Sequence, residues 1–267
     1  MLHNWQNAVE TISPYVVKIS TPEGSGTGFL IWRSSRRPKL VGIATAAHVV
    51  DHAEEWGTPI RIHHPGSDKS QRLSENQRTI FLRKKSDTAL IVFMLPEDDD
   101  ETIPFPAEDL KLWPKHHYLA IGNELGWVGF PAVSPDNLCF FSGSVSCWLQ
   151  SEFSYLVDGV AINGVSGGPA FFEKPGDIKI VGLITQYILN RSGSAPSPGL
   201  SVVQDVSELH VMLGEIQDYD KAKKVAEEAT KRVIEEEKAK SLGNPVSPET
   251  PIPNAPDTAT TGTPSTE

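Results

Sequence analysis

Gly164-Val165-Ser166-Gly167-Gly168-Pro169 is the stretch whose reading decides the rest of the chain. A serine becomes a nucleophile only with an exposed hydroxyl and with backbone N–H groups nearby to hold a negatively charged oxygen. Glycine supplies the tight turn that points such groups inward, because it tolerates positive φ. Gly-Gly-Pro directly after the serine is an unusual string. The plain alternative is a glycine-rich β-turn carrying an incidental serine.

Two further stretches give the string its weight. In Ala44-Thr45-Ala46-Ala47-His48-Val49-Val50, small residues precede a histidine at the end of an apolar run. Imidazole titrates near neutrality and is the natural base for a serine hydroxyl. Alone, His48 reads equally well as a histidine satisfied at a helix start. In Ser86-Asp87-Thr88-Ala89-Leu90-Ile91, an aspartate enters an apolar strand. Burying it is costly unless it is paired, and an imidazole N–H would pair it. Alone, Asp87 reads as a turn residue at a strand start. Together they run His, Asp, Ser, with gaps of 39 and 79 residues. That is the chymotrypsin order among the known triad orders.

On these residues the chain resembles the chymotrypsin/trypsin superfamily, and within it the bacterial HtrA-like and glutamyl-endopeptidase-like members, over roughly residues 10–212. Thr45-Ala46-Ala47-His48, Asp87-Thr88-Ala89-Leu90 and Gly164 to Pro169 match the three family motifs. Val16-Val17-Lys18-Ile19 leading to Gly26-Thr27-Gly28-Phe29 resembles the opening strands of HtrA proteases. Gly182-Leu183-Ile184 matches the strand after the nucleophile. The residues after 214 do not read as a PDZ module, a departure from HtrA proteins that weakens any expectation of peptide-sensing oligomers.

The resemblance implies an all-β fold of two packed antiparallel barrels, with the active site in the cleft between them. It implies a serine endopeptidase in which His48, Asp87 and Ser166 form the triad and the N–H groups of Gly164 and Ser166 form the oxyanion hole. It requires no metal and no cofactor. Val160 and Ala161 are expected at the pocket base, and Thr185, Gln186 and Tyr187 on the substrate-binding strand. None of these is acidic, so a preference for lysine or arginine before the cleaved bond is not expected; a small or medium apolar residue is. In trypsins an aspartate precedes the nucleophile and pairs with a freshly cut N-terminus. Here Val165 stands there, which predicts activation without N-terminal cleavage and an oxyanion loop either preformed or ordered by a partner or substrate. The alternatives are a catalytically silent scaffold and an effector switched on by a protein partner.

Outside the motifs, short β-branched and apolar runs separated by Gly, Pro, Ser and Asp continue the all-β pattern. Strands are expected at 15–20, 29–32, 41–45, 79–82 and 89–93. A second set is expected near 118–121, 126–128, 138–148, 155–157, 169–172, 178–184 and 199–203. The chain divides into a first barrel at 1–105, with an acidic linker at 96–106, and a second barrel at 106–214. A charged helix at 215–242 and a disordered tail at 243–267 follow. The tail holds six prolines and no basic residue. Glu227 and Lys231, Glu228 and Arg232, and Glu236 and Lys240 have the favourable helical order and spacing.

Composition sets limits. The chain has 267 residues, a formal net charge of −10 and two cysteines. An acidic chain repels phosphate backbones, which disfavours nucleic acid as a partner. Few cysteines favour a reducing compartment. Cys139 and Cys147 flank a Gly-Ser turn signal that could set them facing each other across a hairpin; the preferred reading is two buried apolar thiols. The first residues lack a signal-peptide pattern, and no apolar run reaches the length of a membrane span. The expectation is a cytoplasmic protein with no membrane partner. Its expected partners are a polypeptide substrate and an activating protein. His63, His64, His116, His117 and His210 could mimic a glutamate-reading site; the preferred reading is surface or loop histidines.

Overall fold

The structure, a computed structural model, describes residues 4–96, 103–174, 176–190 and 197–242. The described residues up to 217 form one compact unit and those from 218 a second. The chain opens with a short helix, α1 (Trp5–Ile12), capped by the Asn4 side chain, which accepts the Asn7 N–H. Pro14 sits in the 3₁₀ turn that ends it.

The first sheet contains β1 (Val16–Thr21), β2 (Gly24–Arg33), β3 (Leu40–Ala46), β4 (Ile60–His63), β5 (Ser70–Leu73), β6 (Arg78–Arg83) and β7 (Thr88–Met94). Its order is β5-β4-β1-β2-β3-β7-β6, antiparallel throughout. A second helix, α2 (Ala47–Glu55), leaves the end of β3. The remaining strands are β8 (Glu124–Gly129), β9 (Cys139–Leu149), β10 (Ser154–Asp158), β11 (Pro169–Lys174), β12 (Asp177–Asn190) and β13 (Ser197–Asp205). They form a closed barrel in the order β10-β13-β12-β11-β8-β9. The fold is thus mostly β, as expected. The first half differs in detail from a strand-closed barrel. Its edge strands β5 and β6 do not pair with each other. Side chains bridge that side instead: Arg78 is buried and donates to the carbonyls of Leu73, Ala53 and Thr58. Gln71 donates to the Met94 carbonyl.

Alternation along the strands sorts side chains into three cores. Val17, Ile19, Leu30, Ile43, Ile62 and Ile91 fill the first sheet's interior. Trp127, Tyr155, Val157, Val165, Ala170 and Val181 fill the barrel. A third cluster lies between the two and takes in Val16, Phe29, Ala46, Leu90, Val128, Phe130 and Phe171. The first turns of α3 (Ser207–Leu242) add Leu209, Met212 and Ile216 to that cluster. The second unit contributes helix, with ion pairs Lys221–Asp218 and Lys231–Glu235. The expected tail at 243–267 and most of the expected linker at 96–106 lie outside the described residues.

Two expectations are corrected. Tyr118–Ile121 is loop and turn, with the Leu119 N–H held by the Tyr155 hydroxyl. Cys139 and Cys147 do not face each other across a hairpin; they sit near the two ends of the single strand β9, as partly exposed free thiols. The glycine between them marks crowding and not a turn, because a Cβ on Gly143 would lie 2.2 Å from the Asp158 carbonyl oxygen.

Candidate functional site

His48 is the second residue of α2, and Asp87 sits just before β7. Strand pairing brings them together, since Ala46 on β3 lies opposite Thr88 on β7. Ala46 offers no side-chain cap to α2. Asp87 satisfies the exposed N–H groups in its place. Its carbonyl accepts the Ala47 N–H at 3.1 Å, and its Oδ1 accepts the His48 N–H at 2.9 Å. Its Oδ2 lies 2.7 Å from His48 Nδ1. To reach both donors Asp87 adopts φ 47° and ψ 44°, a left-handed conformation that aspartate tolerates better than most residues. The hydrogen bond to Asp87 holds the His48 imidazole above the ordinary histidine value; partial burial opposes it, and the charges of Asp87 and Asp51 assist. Both readings of these residues from the sequence, helix start and strand start, are therefore true locally, and their geometry joins them.

Ser166 arrives from the other sheet, on the loop that leads into β11. Thr27 on β2 ties that loop to the first sheet. Its N–H donates to the Ser166 carbonyl at 2.8 Å, and its hydroxyl donates to the Gly164 carbonyl at 2.8 Å and accepts the Phe130 N–H at 3.0 Å. Thr45 donates to the Thr27 carbonyl in turn. Gly164 and Gly167 have φ of 91° and 84°. A Cβ on Gly167 would lie 2.1 Å from the Thr27 carbonyl oxygen, so no other residue fits there. Val165 is fully buried in the barrel core and anchors the loop from beneath. Its N–H donates to Ile162 and that of Gly168 to Val165. Among the described residues, the N–H groups of Gly164 and Ser166 donate to no backbone carbonyl, and the Ser166 hydroxyl makes no hydrogen bond.

A cavity of about 280 Å³ is lined by His48, Asp87, Ser166, Ala161, Ile162, Asn163 and the run Ile184–Tyr187. The run belongs to β12. It leaves β11 after Leu183, while on its other side it keeps β13, through pairs such as Gln186 with Val202. Thr185 falls at a register shift, a local irregularity that re-aims strands beside binding sites.

No protein-family model matches the chain, and no curated protein matches it in sequence. Solved structures match it in fold. The Rv3671c protease in its inactive form is 20% identical, with a TM-score of 0.53 over 79% of this chain and 92% of that one. The active form of the same protease, from M. tuberculosis, is 19% identical, with a TM-score of 0.55 over 78% and 82%. A serine endoprotease from Yersinia pestis is 15% identical, with a TM-score of 0.56 over 80% and 67%. The fold is trypsin-like.

Within this trypsin-like fold, His48, Asp87 and Ser166 line one cavity, as do Ala161, Thr185, Gln186 and Tyr187. Val160 stands one residue outside that lining and is half exposed. Ile162, Asn163 and Ile184 line the cavity but were not expected from the sequence. The sequence marks Thr27 only by its resemblance to an opening strand; its tie to the Ser166 loop spans 137 positions and has no local signature. His210 donates from Nε2 to the Trp113 carbonyl, away from the cavity lining. His64 lies in the loop after β4 but is not at the surface: it is buried between the Pro14 carbonyl and the Gly66 N–H. No group of three or more metal-ligating side chains occurs among the described residues. No helix among them is long and apolar enough to cross a membrane.

Proposed function

We propose that this chain is a serine endopeptidase that cleaves polypeptides through an acyl-enzyme. The observation that carries the reading is a cavity whose lining includes Ser166, His48 and Asp87, with His48 Nδ1 2.7 Å from Asp87 Oδ2. In the proposed reaction Ser166 Oγ attacks the carbonyl carbon of the scissile bond, and His48 Nε2 takes its proton. The oxygen of the tetrahedral intermediate is held by the N–H groups of Gly164 and Ser166. The carbon–nitrogen bond then breaks, and the imidazolium gives its proton to the departing amine. Water, deprotonated by the same imidazole, releases the acyl group and restores the hydroxyl. Asp87 fixes the tautomer with the proton on Nδ1 and stabilises the imidazolium. The open hydroxyl of Ser166 does not count against this, since such bonds are often long before substrate binds.

The buried Val165 supports activity without N-terminal cleavage. The position before the nucleophile packs against apolar neighbours and offers no acceptor for an ammonium group. The open edge at Thr185, Gln186 and Tyr187 suits an extended peptide, and the apolar Ala161, Ile162 and Ile184 suit a small or medium apolar residue before the cleaved bond. A fluorophosphonate probe tests the reading. The wild type is expected to label, and Ser166→Ala and His48→Ala are not. A folded wild type that stays unlabelled would move the chain to the class of protease-fold binding modules.

A further inference from the structure

A second cavity, of about 250 Å³, lies against the same centre and shares His48, Asn163 and Ser166 with the first. Its outer wall comes from the β1–β2 turn and from α2, and includes Glu23, Ser25, Val49 and His52. Thr21 pairs with Gly24, so Glu23 lies in a two-residue hairpin loop whose position the two strands fix. His52 holds its carboxylate, with Nε2 at 3.3 Å from Oε1. One such contact leaves most of the acceptor positions of a carboxylate open, and the Glu23 side chain remains 63% exposed. Glu23 is the one carboxylate among the described residues lining this cavity.

Resting on the protease reading above, the direction of the substrate follows. The part before the cleaved bond lies along Thr185–Tyr187 and the first cavity. The part after it leaves past His48, which protonates the new amine, and so enters the second cavity. We infer that Glu23 forms a cation-selective subsite there, for a lysine or arginine side chain within two residues after the scissile bond. The preference is thus set on the leaving side of the substrate, while the first cavity contains no carboxylate besides Asp87 among its described lining residues.

Internally quenched peptides identical before the cleaved bond, with Lys, Ala or Glu in the two positions after it, test the inference. The wild type is expected to cleave the Lys peptide about tenfold better in kcat/KM than the Glu peptide, the effect of about one partly exposed ion pair gained and one repulsion removed. Glu23→Gln is expected to shrink that ratio to about twofold, and Glu23→Asp to keep most of it. Fluorophosphonate labelling of all three reports separately whether Ser166 is reactive, because the probe loses only fluoride and carries no leaving-side residue to meet Glu23. A wild type that labels but cleaves Lys and Glu peptides equally overturns the subsite and leaves the protease reading standing. So does a Glu23→Gln variant that keeps the full ratio. A wild type that neither labels nor cleaves overturns both.

Discussion

Asp87 brings its two carboxylate oxygens to two donors of one residue, the backbone N–H and the ring of His48. The same geometry caps a helix and orients an imidazole, so the stability of α2 and the alignment of the proposed base are set by one side chain. The bond to Asp87 raises the imidazole's affinity for its proton. Only the neutral ring can accept the serine proton, so activity should fall as pH drops through a value above 6.5, the ordinary histidine figure. In Asp87→Asn the raising partner is gone. Residual kcat/KM should be lower by several orders of magnitude, and its acid limb should move to lower pH. A pH–rate profile of both proteins checks the direction. At this scale the triad candidates were legible in the sequence, because glycine spacing and a polar residue opening an apolar run are local signals. Val160 is expected beside Ala161 from motif spacing, but it stands outside this cavity, whose lining begins at Ala161.

Elements position these groups through contacts that no local pattern records. Thr27 is fully buried and serves three partners around the Ser166 loop. Thr27→Val keeps the shape but leaves the Gly164 carbonyl and the Phe130 N–H without their partner. The expected loss is about 2–4 kcal/mol in chemical denaturation, together with a lower kcat as the loop loosens. Unchanged stability and kcat would mean that the loop is held by Val165 and the glycines alone. The strands with strong β-branched runs were legible. β4 and β5 were not, because Ile60–His63 is four residues long and Ser70–Leu73 is mostly polar, and both lie in a polar, histidine- and glycine-containing stretch. The cysteine hairpin failed for a related reason. Gly143 is required by the neighbouring Asp158 backbone, a contact 15 residues away, and not by its own turn.

On the scale of the whole molecule, two histidines couple folding to pH with opposite sign. His64 is buried, donates from Nε2 to Pro14 and accepts at Nδ1 from Gly66, so the neutral ring is the one that fits. Burial lowers its proton affinity. Its stabilisation is present above 6.5 and is lost as pH falls toward the lowered value. His48, with a raised value, stabilises below 6.5 and loses that contribution as pH rises through its folded value. Comparing wild type with His64→Gln by thermal denaturation from about pH 7 down to about pH 5 isolates the first effect. The wild type's advantage should shrink toward the acid end, and an advantage that grows there would reverse the assignment. The two-sheet architecture was legible as a count of short strands, whereas the side chains bridging β5 and β6 through Arg78 were not. The proposed chemistry is a covalent event on one atom of the assembled molecule, Ser166 Oγ. The most direct measurement is acid quenching of the uncleaved chain during turnover of an activated ester substrate, followed by peptide mass spectrometry. An acyl group is expected on the peptide bearing Ser166, absent in Ser166→Ala and scarcely formed in His48→Ala. Turnover with no acyl group on Ser166, or an acyl-enzyme that persists in Ser166→Ala, would contradict it.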